Sequence, residues 1–299
     1  MFDRFILSED LLDCRDRLVA PSGAVVSTES IADAAQRAPA LPRRPLSDGR
    51  LAADVDGPLS NPIYRHLFPG EHARDTVRRA MLAAPMPEPL EDELLALRRA
   101  GSHLHAHAFA TAAVAVRMLL GVVGNARAVP ELAVAALLHA LGMRWVPERV
   151  LCGGASLSSA DALRVATHPL LGAYHVASVL GPHPAVTAAR VHHWRNGQGY
   201  PVLSKPPTRS MEVISVASTF AALTQPRAFR EAQFDARGAS DVLVAEAASG
   251  KADASTVRLL VHTLRGGHGD PRSIRFGRDR TGPGAQEYVH VAAPARSLV

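Results

Sequence analysis

Between residues 70 and 265 apolar positions recur three and four apart, the spacing that lays a stripe along one helix face. Caps and prolines cut this block into predicted helices at 71–84, 90–99, 105–120, 130–141 and 159–167, then one opening at Pro169, and later ones at 185–195, 210–225, 241–249 and 254–265. Upstream, 5–34 alternates short apolar runs with turn residues. The runs 18–20 and 24–26 across Pro21, Ser22 and Gly23 predict a small hairpin, with a helix after Ser27. From Arg37 to Pro69 periodicity gives way to Pro, Gly, Asp and Arg, which predicts a linker and a domain boundary. After Gly266 the expected order is a short hairpin, 273–276 against 288–292. The expectation is therefore a mainly α chain with a small mixed N-terminal segment and linker (1–69), a helical-bundle domain (70–265) and a tail (266–299). No internal repeat of solenoid period is present.

Composition narrows the class. With 47% apolar and 20% charged residues the chain is globular in type, not disordered. Its longest apolar stretches, 110–124 and 132–143, are interrupted by Arg117 and His139 and fall short of the roughly 18 residues of a membrane span, so no spanning helix and no membrane partner are expected. The first ten residues carry Asp3, Glu9 and Asp10 and no long apolar run, so no export signal is expected. Cys14 and Cys152 are too few for a disulfide framework, and a cytoplasmic location follows as the expectation. The excess of 33 basic over 28 acidic residues is almost all arginine, with Lys205 and Lys251 the only lysines. The pairs at 43–44, 78–79 and 98–99 are scattered and aromatics make up 5%, so DNA is not expected as a partner.

Nine of the fourteen histidines lie between His103 and His193. Helix-borne imidazoles from several segments can converge on one transition metal, which is the chemistry this concentration suggests. The order of motifs is more specific. His105 is followed by Leu120-Gly121, then Leu138-His139-Ala140-Leu141-Gly142, then Val146-Pro147-Glu148-Arg149, then His168-Pro169. After these come Val191-His192-His193-Trp194-Arg195-Asn196-Gly197-Gln198-Gly199-Tyr200-Pro201 and Gln225-Pro226-Arg227-Ala228-Phe229-Arg230. Over about residues 100–265 this resembles the HD-GYP family of cyclic di-GMP phosphodiesterases, with the Gly-Tyr-Pro turn intact.

The resemblance implies a helical bundle holding two or three metal ions, commonly iron or manganese, that share a hydroxide for attack on a phosphodiester. It also implies metal positions at His105, His139, His168, His192 and His193. Every carboxylate the family pattern would supply is replaced. The aspartate after the matched histidine is Ala140, the acidic position before His105 is Gly101, the later aspartate is Ser218, the glutamate after the paired histidines is lost, and the lysine position is Met143. Glu71, Glu91 and Glu93 are carboxylates outside the pattern that remain available to rebuild a site. His103 and His107 read as surface neighbours of His105, unless the register shifts by two.

The expected function is thus a catalytically degenerate HD-GYP-like signalling protein with no catalytic residues. It would bind a signalling protein partner or cyclic di-GMP through Gly199, Tyr200, Pro201, Arg227 and Arg230, with Arg144 a further cationic candidate and a homodimer left open. Arginine forks suit phosphate, although both late arginines can equally cap the helix ending at Gln225. No cofactor is expected beyond, at most, a single divalent zinc, iron or manganese. The alternative is a metal-dependent phosphohydrolase or phosphodiesterase with a rebuilt histidine site.

Overall fold

The computed structural model describes residues 3–100, 103–124, 126–152, 158–196, 199–201, 206–226, 230 and 232–276. It is mainly α, with twelve α-helices and three two-stranded sheets among those residues.

The N-terminal strands β1 (Arg4–Ile6), β2 (Leu11–Leu12), β3 (Leu18–Ala20) and β4 (Val25–Ser27) form one long, interrupted antiparallel hairpin. Arg4 pairs with Ser27 and Leu11 with Ala20 in the same register. The hairpin therefore turns at 13–17 and not at the expected 21–23. The Asp13 carboxylate supplies the reason: it accepts the backbone N–H groups of Arg15 at 2.8 Å and Arg17 at 2.9 Å, and Asp16 adopts φ 57° beside it. Pro21–Gly23 is an irregularity in the returning strand, where the Gly23 N–H donates to the Leu7 carbonyl at 2.8 Å.

Helix α1 (Thr28–Arg37) starts on a reciprocal cap between Ser27 and Ser30. Its Ile31 and Ala34 join Leu7, Leu11 and Val26 in a small core closed by Leu170, Leu171, Ala173 and Ala177 of a later helix. The stretch expected to be a linker is irregular in backbone but packed: β5 (Arg43–Pro45) and the short α2 (Asp56–Ser60) lie in it. Leu46, Leu51, Val55, Leu59, Tyr64, Leu67 and Phe68 are all buried in the main core. Burying seven large side chains stabilises this backbone although its regular elements are short.

The remaining elements are α3 (Gly70–Leu82), β6 (Pro85–Pro87, paired with β5), α4 (Glu88–Arg99), α5 (His103–Val123), α6 (Ala128–Leu138), α7 (Glu148–Leu151), α8 (Ser159–Leu180), α9 (Pro184–Val191), α10 (Arg209–Thr224), α11 (Ala236–Ala248) and α12 (Ala254–Leu264). Helix α5 is central, with α3, α6, α10 and α12 packed around it. Its buried Ala110, Ala112, Ala113 and Ala115 let neighbouring backbones approach closely. Among the described residues it is the one helix long and apolar enough to cross a membrane by composition, and most of it is buried inside the bundle.

Pro169 does not open a new helix. It sits inside α8, which runs through it unbroken. Proline has no N–H to give the carbonyl four residues back, Val165 O, and that carbonyl takes the His168 Nδ1–H instead, at 2.6 Å. Of the expected C-terminal hairpin, 288–292 lies outside the described residues, and Ser273 ends a 3-10 turn, Pro271–Ser273, with 274–276 irregular after it and Phe276 under the Arg258 guanidinium.

Candidate metal centre

Three histidines are aimed by one local device. His139 follows the last turn of α6 and its Nδ1–H donates to Ala136 O at 2.7 Å. His192 caps the C-terminus of α9 and its Nδ1–H donates to Ala189 O at 2.9 Å. His168 uses the carbonyl released by Pro169. In each case the acceptor is three residues back and lacks its normal helical partner, because the helix ends or a proline intervenes. A carbonyl cannot donate, so all three imidazoles carry their proton on Nδ1 and turn a bare Nε2 inward.

Those Nε2 atoms meet. His168 Nε2 lies 3.0 Å from His192 Nε2, and His139 Nε2 lies 3.2 Å from His107 Nε2 and 3.0 Å from Ser218 Oγ. The His139 and His192 rings, 5.0 Å between centroids, join the two pairs into one cluster. His193 packs on His192 at 4.3 Å and carries Tyr200 stacked on its other side at 4.7 Å. The ligand atoms of His168, His192 and His193 all lie within 4.8 Å of one another, so these three can hold a metal ion. Burial pushes His139 and His168 down to about 4. Burial, followed by the neighbouring imidazoles, pushes His192 and His193 well below the ordinary histidine value. Neutral imidazole is the form that ligates metal.

His105 does not reach this cluster. Its ring packs at a tilt against Phe109 and faces Asp54, Nε2 to Oδ2 3.4 Å. Its place is taken by His107, buried at the α5–α10 contact, because residues two apart on a helix point about 200° apart and only one can face α10. His103 shares the His107 side of the helix by its four-residue spacing. Ser218, at the expected carboxylate position, supplies a hydroxyl to the cluster from α10.

The outside carboxylates do not rebuild the site. Glu91 pairs with Arg44 at 2.7 Å and accepts the Arg50 backbone N–H. Asp92 pairs with Arg50 and Arg15. Glu93, fully buried, accepts the Cys14 N–H at 2.9 Å and forms an ion pair with Arg144, Nε to Oε2 2.9 Å, with His175 Nε2 3.4 Å away. Glu71 is exposed. Arg144 is thereby committed to Glu93 and to the Leu12 carbonyl, not to a ligand. Sequence reasoning missed this junction, whose sequence signal is three consecutive acidic residues in the first half of α4.

The Gly-Tyr-Pro turn lies over the histidines. Gly199 and Pro201 are buried, and a Cβ on Gly199 would stand 1.8 Å from the His193 carbonyl oxygen, so only glycine fits there. The Tyr200 N–H donates to that same carbonyl at 3.3 Å. Arg230 caps α10, donating to Leu223 O at 2.7 Å and Ala222 O at 3.2 Å, and its guanidinium lies over Phe234. Arg227 lies outside the described residues. The two- or three-metal centre implied by the family resemblance does not fit this donor set. The bridging position is Ala140, and among the described residues no carboxylate joins a group with metal-ligand spacing.

No family model matches the chain, and no curated protein matches it.

Proposed function

We propose that the chain is a catalytically degenerate HD-GYP-like signalling domain that works by binding a protein partner and not by hydrolysing cyclic di-GMP. The observation that carries this reading is the carboxylate-free cluster. Imidazoles converge as hydrolytic metal chemistry would need, but Ala140 and Ser218, the latter bonded to His139 at 3.0 Å, occupy the sequence positions at which the resemblance implies carboxylates. The retained turn, whose Tyr200 is partly buried between buried Gly199 and Pro201, is the element assigned to the partner. Arg230, engaged in capping α10, favours a protein over the nucleotide as occupant.

The test is a phosphodiesterase assay of the full chain on cyclic di-GMP with manganese, iron and zinc supplied in turn, beside calorimetry with the same nucleotide. No turnover above the protein-free blank is expected. Turnover abolished by His139→Ala would replace this reading with its rival, a metal-dependent phosphohydrolase, which the three convergent imidazoles favour. Nucleotide binding without turnover would move the occupant from protein to cyclic di-GMP.

A further inference from the structure

The histidine cluster divides into two halves with different hydrogen-bond accounting. In the first, every proton finds an acceptor. The Ser218 hydroxyl donates to His139 Nε2 at 3.0 Å, His107 Nε2–H donates to Ser218 Oγ at 3.3 Å, and His139 Nδ1–H goes to Ala136 O. In that half the converging Nε2 and Oγ atoms are therefore paired by neutral groups and need no ion between them.

The second half cannot close this way. His168 and His192 both spend their Nδ1 protons on carbonyl oxygens, at 2.6 and 2.9 Å, so both Nε2 atoms present lone pairs, yet these atoms are 3.0 Å apart. Moving either proton to Nε2 makes one good bond but sets a bare Nδ1 against a carbonyl oxygen, which relocates the repulsion. A positive centre held by both Nε2 atoms removes it, and His193, whose ring lies 5.0 Å from His168 and 4.3 Å from His192, is the third donor within reach.

We infer that the chain binds one late first-row divalent ion, of the zinc or nickel kind, on His168, His192 and His193. The His107–His139–Ser218 half stays free of metal, and the ion fixes His193 and, through the stacked Tyr200 ring, the Gly199–Pro201 turn. An all-imidazole donor set ranks zinc, nickel and copper above manganese and magnesium, which prefer oxygen. Three neutral imidazoles leave a fourth position to water or an anion. The inference rests on the binding-domain reading above, since it makes the partner-facing turn responsive to metal.

The experiment uses the full chain stripped with chelator, titrated by calorimetry with zinc, nickel and manganese, with elemental analysis after desalting. One zinc per chain is expected, with manganese at least about 100-fold weaker. His168→Gln and His192→Gln should each weaken zinc at least about 100-fold, whereas His107→Gln should change it by no more than about threefold. Zinc should also slow hydrogen exchange at the Tyr200 amide. If the buried variants fail to fold, half-buried His193→Gln carries the same measurement. Two or more ions per chain, equal affinity for manganese, an equal loss in His107→Gln, or no zinc uptake by the folded chain would each overturn the inference. These outcomes are separable from the functional reading: absent zinc uptake with absent turnover sinks only the metal site, while turnover of cyclic di-GMP sinks the functional reading and leaves the stoichiometry to be judged by itself.

Discussion

Gly142 and Gly172 meet backbone to backbone: a Cβ on Gly142 would stand 2.7 Å from Gly172 N and 1.9 Å from His168 O, and one on Gly172 would stand 2.8 Å from Gly142 N. This contact presses the 3-10 turn Leu141–Trp145, which follows His139, against the middle of α8, which carries His168. Two histidines distant in sequence share a cluster partly because nothing larger than hydrogen separates these backbones. Gly142→Ala should cost about 3 kcal/mol or more, at the upper end of overpacking penalties, because the clash is with backbone that cannot rotate away. Urea unfolding of the purified variant checks this, and a cost below about 1 kcal/mol would show that the two segments separate freely.

Acid should unfold the metal-free protein early. The folded-state values of His139 and His168 are depressed to about 4, against an ordinary value near 6.5, so the native state favours their neutral forms. The stability they contribute is fully present above pH 6.5 and is lost as pH falls from there through 4, by at most about 3 kcal/mol for each. Unfolding free energy measured in chelator at pH 7.5, 6 and 5 should fall with a slope approaching one proton or more, and His139→Gln should flatten it.

Glu212 has the opposite dependence. Burial, then the charge of Asp253, raises its carboxyl to about 7, so ionising it costs folding free energy. Stability from this group is present at acid pH and lost as pH rises from about 4.5 through 7. Glu212→Gln should therefore stabilise the protein at pH 8 by about 1 kcal/mol, after allowing for solvent screening at a half-buried site, and should do nothing measurable at pH 4.5. Thermal melts at the two pH values decide it.

Glu93→Ala should cost about 2–3 kcal/mol, since it leaves the Cys14 amide without its acceptor and removes the counter-charge of Arg144, which keeps its bond to the Leu12 carbonyl. The loss should first be visible as faster limited proteolysis within 7–24, the hairpin that this carboxylate ties to α4. Unchanged protease resistance would show that the Arg15–Asp92 pair, the Leu12 carbonyl contacts and the apolar contacts with α8 hold that segment without Glu93.

The mainly α character was legible from the three- and four-residue spacing of apolar positions, since that pattern is local and survives in any packing. His139, His168 and His192 stand out by their place in the order of motifs, whereas the helix ends and the mid-helix proline that bare a carbonyl for each Nδ1 come only with the structure, since the predicted helices 130–141 and 185–195 run past them. His105 and His107 could not be told apart by local pattern. Both sit on one helix, nearly opposite in direction, and the choice belongs to whichever neighbour packs on which face, here α10 on the side of His107. The same holds for 37–69. Its prolines and glycines erase the apolar periodicity and leave only short elements, but burial of Leu46, Leu51, Val55 and Leu59 depends on helices that come later in the chain. Pro169 would end an isolated helix, and α8 continues because His168 replaces the missing donor and the flanking helices bury the junction. Helical propensity and capping are properties of neighbours along the chain. Tautomer, register and burial are properties of neighbours in space, and the candidate metal centre is made of those.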